Sequence, residues 1–201
     1  MAKLYFRYGT VGSAKTMNLL AVAHNYRAQN KTAFLLKPKI DKRFGEEVIR
    51  SRSGLEMEAD FLIDVDQELD VEVLRGAHCL LVDEAQFLTA KVIEQLKDIA
   101  NELNIPVICY GLRTDFRTRL FEGSHRLLEL ADTIEEVKTT CSFCNKKAIF
   151  NLKFKDGIPS IEGPVIDLGA DEKYLPVCSF CYNIQLQRDT GREIAGHHLT
   201  H

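Results

Sequence analysis

The stretch YGTVGSAKTMNLL, residues 8–20, follows a short apolar run and carries the residue types of a phosphate-binding loop. Such a loop needs backbone N–H groups turned towards one point, a helix N-terminus behind them, a lysine for charge and a hydroxyl for Mg²⁺. Alternation in residues 3–9 predicts a strand before the loop, and helical spacing of apolar residues predicts a helix after it. A strand, a turn and a helix with an incidental Lys-Thr pair is the alternative interpretation.

The loop follows the pattern G-x-x-x-x-G-K-[ST] except at Ala14, where the pattern has glycine. Alanine costs little in the first turn of a helix, but its methyl lies where the backbone must approach a phosphate closely. We expect this methyl to shift the loop slightly or to weaken nucleotide binding. The predicted phosphate-binding residues are Gly9, Thr10, Val11, Gly12, Ser13, Ala14, Lys15 and Thr16.

Two acids follow an unbroken apolar run in HCLLVDEAQFL, residues 78–88. This pattern is typical of a buried parallel strand whose carboxyl end opens on a site. Asp83 is the predicted acid on the metal side, holding Mg²⁺ directly or through water opposite Thr16. Glu84 is one residue further, where a carboxylate can accept a proton from a substrate hydroxyl or a water. A surface acid that leads into a helix is the alternative for Glu84.

Further strands are predicted at residues 32–38 and 105–112, with a helix from Thr89 to Asn104 between the acids and the latter strand. Alternating strands and helices over residues 1–136 predict an α/β domain of the P-loop, RecA-like kind, a parallel sheet with helices on both faces. The polar, arginine-rich stretch 40–59 is predicted to be a mobile active-site loop.

The spacing of the cysteines separates metal ligands from core residues. Two Cys-x-x-Cys pairs, with 33 residues between them, are formed by Cys141, Cys144, Cys178 and Cys181. Each pair can supply two corners of a tetrahedron, so the four thiolates predict a structural zinc site; redox pairs or buried free thiols are the alternatives. Cys79 and Cys109 lie inside apolar strands and are predicted core residues. Residues 137–201 are therefore predicted to form a small zinc-binding β domain with a long loop and a polar tail.

Composition argues against several classes of protein. The 201 residues are 45% hydrophobic and 27% charged, with a net charge of −3. This is an ordinary globular balance, and it lacks the basic excess of a dedicated nucleic-acid binder. The sequence shows neither a signal segment nor an apolar stretch of about 18 residues, so we expect a cytoplasmic protein without a membrane partner.

The motifs, in this order, resemble the type II thymidine kinases, the zinc-containing cytosolic branch. The resemblance covers nearly the whole chain, through LYFRYGTVGSAKT, KIDKRFG, CLLVDEAQFL, IPVICYGLRTDFRTRLFEGS, CSFC and EKYLPVCSFCY. It implies transfer of the γ-phosphoryl group of ATP to the 5′-hydroxyl of thymidine, with Glu84 as general base. It also implies Mg²⁺ with ATP, and a structural zinc ion.

The resemblance assigns further residues to the two substrates. Near the phosphates it implies Asp41, Arg43 and Gln86, although an ordinary surface loop is the alternative for Asp41 and Arg43. Around the thymine base it implies aromatic contacts and a lasso-like loop that binds through main-chain groups: Phe87, Phe116, Val165, Ile166, Asp167, Leu168, Gly169 and Tyr174. The loop departs from the family, since residues 167–170 read Asp-Leu-Gly-Ala where a more apolar Val-Ile-Gly-Gly is usual.

The resemblance also implies partners and assembly. Members of the family are usually homotetramers and are inhibited by thymidine triphosphate. Two other functions stay open at this point: a zinc-bearing P-loop ATPase that acts on nucleic acid, and a nucleotide-sensing module without transfer chemistry. The net charge and the short chain argue against the first.

Overall fold

The computed structural model describes residues 1–43, 45, 47–64, 68–165 and 173–189. The strands are β1 (Leu4–Tyr8), β2 (Ala33–Pro38), β3 (Val48–Arg50), β4 (Glu56–Glu58), β5 (Phe61–Ile63), β6 (Cys79–Val82), β7 (Val107–Gly111), β8 (Thr133–Glu136), β9 (Phe150–Lys155), β10 (Ile158–Ser160) and β11 (Lys173–Val177). The helices are α1 (Lys15–Ala28), α2 (Val71–Leu74), α3 (Ala90–Glu102), α4 (Glu122–Leu130) and α5 (Ser179–Asp189). None of the helices within these ranges is long and apolar enough to cross a membrane.

The main sheet has six strands in the order β5-β2-β6-β7-β1-β8, and every neighbouring pair is parallel. Parallel strands place all their carboxyl ends at one edge of the sheet. The loop after β1 and the acids after β6 therefore open on the same edge.

Helices cover both faces of this sheet, because successive strand residues point to opposite sides. On β6, Leu80 and Val82 pack into a core with α3 and α4, whereas Cys79 and Leu81 pack into a second core with α1. Cys79 and Cys109 are fully buried, which confirms them as core residues. The predicted α/β architecture is confirmed.

The structure differs from the sequence prediction in three short places. The stretch predicted as a mobile loop contains the antiparallel hairpin β3–β4, with Ile49 buried. Strand β5, which the sequence analysis did not identify, pairs with β2 at the sheet edge. The hairpin and β5 consist of strands of three residues, which are too short to show a periodic pattern in the sequence. The helix predicted to reach Asn104 ends at Glu102, and Asn104 has a left-handed backbone that is incompatible with a continuing helix.

A small module, residues 137–165 and 173–189, follows the last strand of the main sheet. Its sheet has β9 at the centre, with β10 and β11 antiparallel on either side. Leu152, Val177 and Tyr182 pack with the cysteines in a core of their own. The four cysteines thus lie where β11 meets α5 and where the chain approaches β9.

Candidate active site

The phosphate loop, residues 9–16, joins β1 to the first residues of α1. The N–H of Gly9 donates to the carbonyl of Gly111 over 3.2 Å. A Cβ on Gly9 would lie 2.4 Å from Ser13 Oγ and 2.5 Å from the carbonyl of Val137, so no larger residue fits. Gly12 has a φ of +72°, which glycine adopts without steric cost. Gly9 is therefore required by its close packing against the backbone of Val137, and glycine is favoured at position 12 by the left-handed backbone.

Ala14 lies before α1 rather than in its first turn. Its φ of 63° and ψ of 24° place it in the left-handed region, and its carbonyl accepts the N–H of Asn18 over 3.0 Å. A residue with a Cβ is strained in this region, whereas glycine is not. The departure from the pattern therefore costs backbone strain, which helix propensity did not predict.

Lys15 is buried and points back across the loop. Its Nζ donates to the carbonyl of Thr10 over 2.7 Å and to Ser13 Oγ over 3.3 Å. Burial lowers the pKa of Lys15 to about 8, although the charges of Glu84 and Asp83 oppose this shift. The ammonium is thus held at the mouth of the loop, where an anion would strengthen its charged form.

Asp83 and Thr16 meet across the crevice. The hydroxyl of Thr16 donates to Asp83 Oδ2 over 3.1 Å, and Asp83 is buried. Burial, with the charge of Glu84 added, raises the pKa of Asp83 to about 7. A hydroxyl and a carboxylate facing each other beside a phosphate loop are the oxygen ligands that Mg²⁺ takes in such sites, so these residues fit the metal.

Glu84 follows Asp83 with a left-handed backbone, φ 48°. Both of its carboxylate oxygens accept a hydrogen bond over 2.5 Å, one from Arg43 Nη2 and the other from Gln86 Nε2. Burial favours the neutral acid, but Arg43 and Lys15 outweigh it and lower the pKa of Glu84 to about 2. Glu84 is therefore an ionised carboxylate, held by two donors in a strained turn.

Arg43 bridges the acids on two elements. Its Nε donates to Asp41 Oδ1 over 2.7 Å while its Nη2 bonds Glu84, and the charge of Glu84 raises the pKa of Arg43. Asp41 also faces the buried Lys37 Nζ at 3.7 Å. Asp41 and Arg43, for which an ordinary surface loop was the alternative, thus belong to the same cluster of charged side chains as Glu84.

These groups line one cleft of about 510 Å³. Residues 11–16 form one wall, and the β3–β4 hairpin forms the wall opposite, with Arg50, Ser51, Arg52 and Ser53. The sequence analysis placed these four residues in an active-site loop but gave none of them a role. The sequence RSRS in the arginine-rich stretch was the signal that could have identified them. Only the β3–β4 hairpin, however, places these residues in the same cleft as the phosphate loop.

The remaining phosphate-side residues, Gly9, Thr10 and Gln86, do not line this cleft. Gly9 and Thr10 line a small cavity with Asn151. Gln86 is buried and fixes the turn after Glu84, since its Oε1 accepts the N–H of Leu112 over 3.0 Å.

The aromatic residues assigned to the base fall into two places. The buried Phe116 ring lies 6.3 Å from the ring of Tyr174, with Lys153 Nζ 4.8 Å and the guanidinium of Arg117 5.1 Å from its centroid. Phe87 instead packs edge-on against Phe121, with ring centroids 5.8 Å apart. Val165 is half-buried, and the predicted lasso residues Ile166, Asp167, Leu168 and Gly169 lie outside the described residues.

The four paired cysteines form one cluster. The Sγ atoms of Cys141, Cys144, Cys178 and Cys181 all lie within 4.8 Å of one another. Cys144 Sγ and Cys178 Sγ are 3.6 Å apart, close to the separation of about 3.8 Å expected for thiolates around a tetrahedral Zn²⁺. Backbone N–H groups of Phe143 and Cys181 point at Cys141 Sγ and Cys178 Sγ, each over 3.4 Å. The cluster can hold a metal ion.

The parallel sheet, the phosphate loop and the paired acids at its carboxyl edge define a P-loop nucleotide-binding protein. The chain belongs to the thymidine kinase family, whose family model matches residues 2–182. A thymidine kinase of Lactiplantibacillus plantarum is 47% identical over 184 residues, 90% of this chain and 96% of the relative. One of Lactococcus lactis subsp. lactis is 44% identical over 183 residues, 89% of this chain and 95% of the relative.

A solved structure of the Pif1 helicase from Candida albicans is also similar, with a TM-score of 0.41 and 14% identity. It covers 68% of this chain and 36% of that chain. A similarity of this size supports no functional conclusion.

Proposed function

We propose that this chain transfers the γ-phosphoryl group of ATP to the 5′-hydroxyl of thymidine, with Glu84 as the general base. Thymidine phosphorylation follows from membership of the family. The observation that carries the mechanism is the convergence of Lys15, Thr16, Asp83 and Glu84 at the carboxyl edge of the sheet.

The donor side uses the phosphate loop. Backbone N–H groups of residues 9–16 and the N-terminus of α1 would hold the phosphates, and Lys15 would leave the Thr10 carbonyl to contact them. Mg²⁺, held by Thr16 and Asp83, would neutralise charge on the transferring group. The arginines of the β3–β4 hairpin lie across the cleft, where they would face the same phosphates.

The acceptor side uses Glu84. With a pKa of about 2 it is fully ionised near neutral pH, but its pairing with Arg43 makes it a weak base. A phosphate group that draws Arg43 away would leave Glu84 with Gln86 alone and raise its basicity. Arg43 would then stabilise negative charge on the transferring group, while Asp41 keeps its Nε in place.

The base of thymidine is assigned to Phe116, Tyr174 and main-chain groups of residues 165–169. The pairing of the Phe116 and Tyr174 rings supports this assignment. Phe87 is the weaker candidate for a wall of this site, because its ring is engaged by Phe121.

The cysteine cluster is proposed to bind zinc as a structural ion. Bound to Cys141, Cys144, Cys178 and Cys181, zinc would fix the two ends of the long loop and so reduce the entropy cost of ordering it over thymidine. The division of the chain between residues 136 and 137 stays a proposal, supported by β8 being the last strand of the main sheet.

Other expectations stay predictions: a homotetramer, inhibition by thymidine triphosphate, and a cytoplasmic location without membrane or nucleic-acid partners. The alternatives, a nucleic-acid-dependent ATPase and a sensor without chemistry, differ in their products.

The test is to incubate zinc-loaded protein with thymidine, ATP and Mg²⁺ and to quantify both products. Thymidine monophosphate and ADP in equal amounts are expected. ADP that forms only with added DNA would establish the ATPase instead, and nucleotide binding with neither product would establish the sensor.

A further inference from the structure

Asn151 is a buried carboxamide at the start of β9 in the small module. A buried amide is stable only when its donor and its acceptor are both used. The side chain therefore has to be explained by the groups it contacts.

Both ends of the Asn151 amide bond to backbone groups of the main domain. Its Oδ1 accepts the N–H of Val11 over 2.8 Å, and its Nδ2 donates to the carbonyl of Thr114 over 3.3 Å. The two partners fix the orientation of the amide, because an N–H can bond only to its oxygen and a carbonyl only to its NH₂.

The two partners belong to the loops that serve the two substrates. Val11 lies in the phosphate loop and lines the cleft. Thr114 lies in the loop after β7, two residues before Phe116. One rigid side chain thus fixes the distance between the donor loop and the base-side loop, although its partners lie 140 and 37 residues away in sequence.

The base-side loop has further attachments to the small module. The hydroxyl of Tyr182 donates to the carbonyl of Phe116 over 2.6 Å, and Arg113 donates to the carbonyl of Ile149 over 3.4 Å. Arg117 donates to the carbonyls of Ile161 and Gly163, just before the predicted lasso. These bonds attach the Phe116 loop to the small module, and Asn151 attaches the phosphate loop to the same module.

We infer that Asn151 is a positioning residue that couples the two substrate sites. Ordering of the small module by thymidine fixes Asn151, which holds the Val11 amide and so orders the phosphate loop for ATP. The reverse coupling follows, since the effect of one ligand on the affinity for the other is reciprocal. The inference rests on the proposed function for the identity of thymidine.

The test is the affinity for a non-hydrolysable ATP analogue with Mg²⁺, measured by calorimetry with and without saturating thymidine. In the wild-type protein thymidine should raise the affinity for the analogue at least ~5-fold. Asn151→Leu, which is similar in size but bonds neither loop, should reduce this factor to within ~2-fold of unity. It should also weaken binding of the analogue alone, because without this bond the free phosphate loop is less ordered and nucleotide binding has to order it.

Asn151→Asp separates the two bonds. The carboxylate can still accept the Val11 N–H but cannot donate to the Thr114 carbonyl. Affinity for the analogue alone should fall, because the buried carboxylate adds negative charge beside the phosphate loop, and loss of the effect of thymidine would assign the coupling to the Thr114 bond. Asn183, exposed on α5, provides matched controls: Asn183→Leu and Asn183→Asp should change neither quantity. Zinc content and the unfolding temperature identify any variant that is misfolded.

Two results would overturn the inference: a wild-type protein in which thymidine leaves the affinity for the analogue unchanged, or a folded Asn151→Leu protein that keeps the wild-type factor. Failure of the proposed function would be seen separately, as absence of thymidine monophosphate. In that case the affinity for the analogue alone still tests the role of Asn151 in the phosphate loop. Unchanged affinity in Asn151→Leu would refute that role, and reduced affinity would support it.

Discussion

Replacing Ala14 with glycine should stabilise the protein. A left-handed backbone such as that of Ala14, φ 63°, costs a residue with a Cβ about 1–2 kcal/mol. Glycine removes this strain but loses about 0.4–1 kcal/mol more conformational entropy on folding. The net gain in the free energy of unfolding is therefore about 0–1.6 kcal/mol, and its centre of about 0.8 kcal/mol corresponds to about 2–3 °C in Tm for a chain of this length.

The measurement is thermal or urea unfolding of the zinc-loaded protein, with Ala21→Gly as the matched control. Ala21 is exposed in the interior of α1, where glycine costs about 1 kcal/mol. The same chemical change should therefore have opposite signs at two positions seven residues apart. Destabilisation of both variants by similar amounts would refute the strain assigned to Ala14.

Nucleotide binding gives the second readout for Ala14→Gly. A mutation changes affinity only through a difference between the free and the bound state. Since the left-handed backbone is already present without nucleotide, the affinity for ATP should change less than ~2-fold. A clear increase would instead support the expectation from the sequence that the methyl weakens ATP binding.

Three further outcomes test the site. Glu84→Gln should keep the affinity for nucleotide but lower kcat by at least ~100-fold in a thymidine phosphorylation assay, because the variant lacks the general base. Near-normal turnover would exclude that role for Glu84. Because the pKa of Asp83 is about 7, protons compete with Mg²⁺ as the pH falls through 7, so affinity for the Mg²⁺-nucleotide should drop about tenfold from pH 8 to pH 6. Asp83→Asn should remove most of this dependence, and an equally steep profile in that variant would contradict it. Cys144→Ser should lower the zinc content and raise the KM for thymidine; full metal content with an unchanged KM would argue against a structural zinc site.

Much of the fold could be predicted from the sequence, because its signals are local. The apolar run before Asp83 predicts a buried strand, and the loop pattern places a helix after Gly12, so the alternation that defines a parallel sheet follows. The pairing of the cysteines could also be predicted, since Cys-x-x-Cys spacing alone indicates that the two thiolates of a pair can bind one metal ion. In the structure all four sulfur atoms form one cluster.

The rest could not be predicted because it depends on contacts between distant segments. Arg52 lies opposite the phosphate loop only because three-residue strands form a hairpin there. The pairing of Arg43 with Glu84 joins residues 41 positions apart. Phe87, assigned to the base by the resemblance as a second wall beside Gln86, packs on Phe121 because the 3₁₀ turn directs it towards α4.

The sequence by itself determined the class of fold, the phosphate loop, the two acids and the paired cysteines. These depend on residue types at short spacings, which constrain the backbone locally. The tertiary structure alone decided the strain at Ala14, the lowered pKa of Glu84 and the link that Asn151 makes between two loops. Each of these arises from a conformation or an electrostatic environment imposed by segments remote in sequence, and no local pattern encodes them.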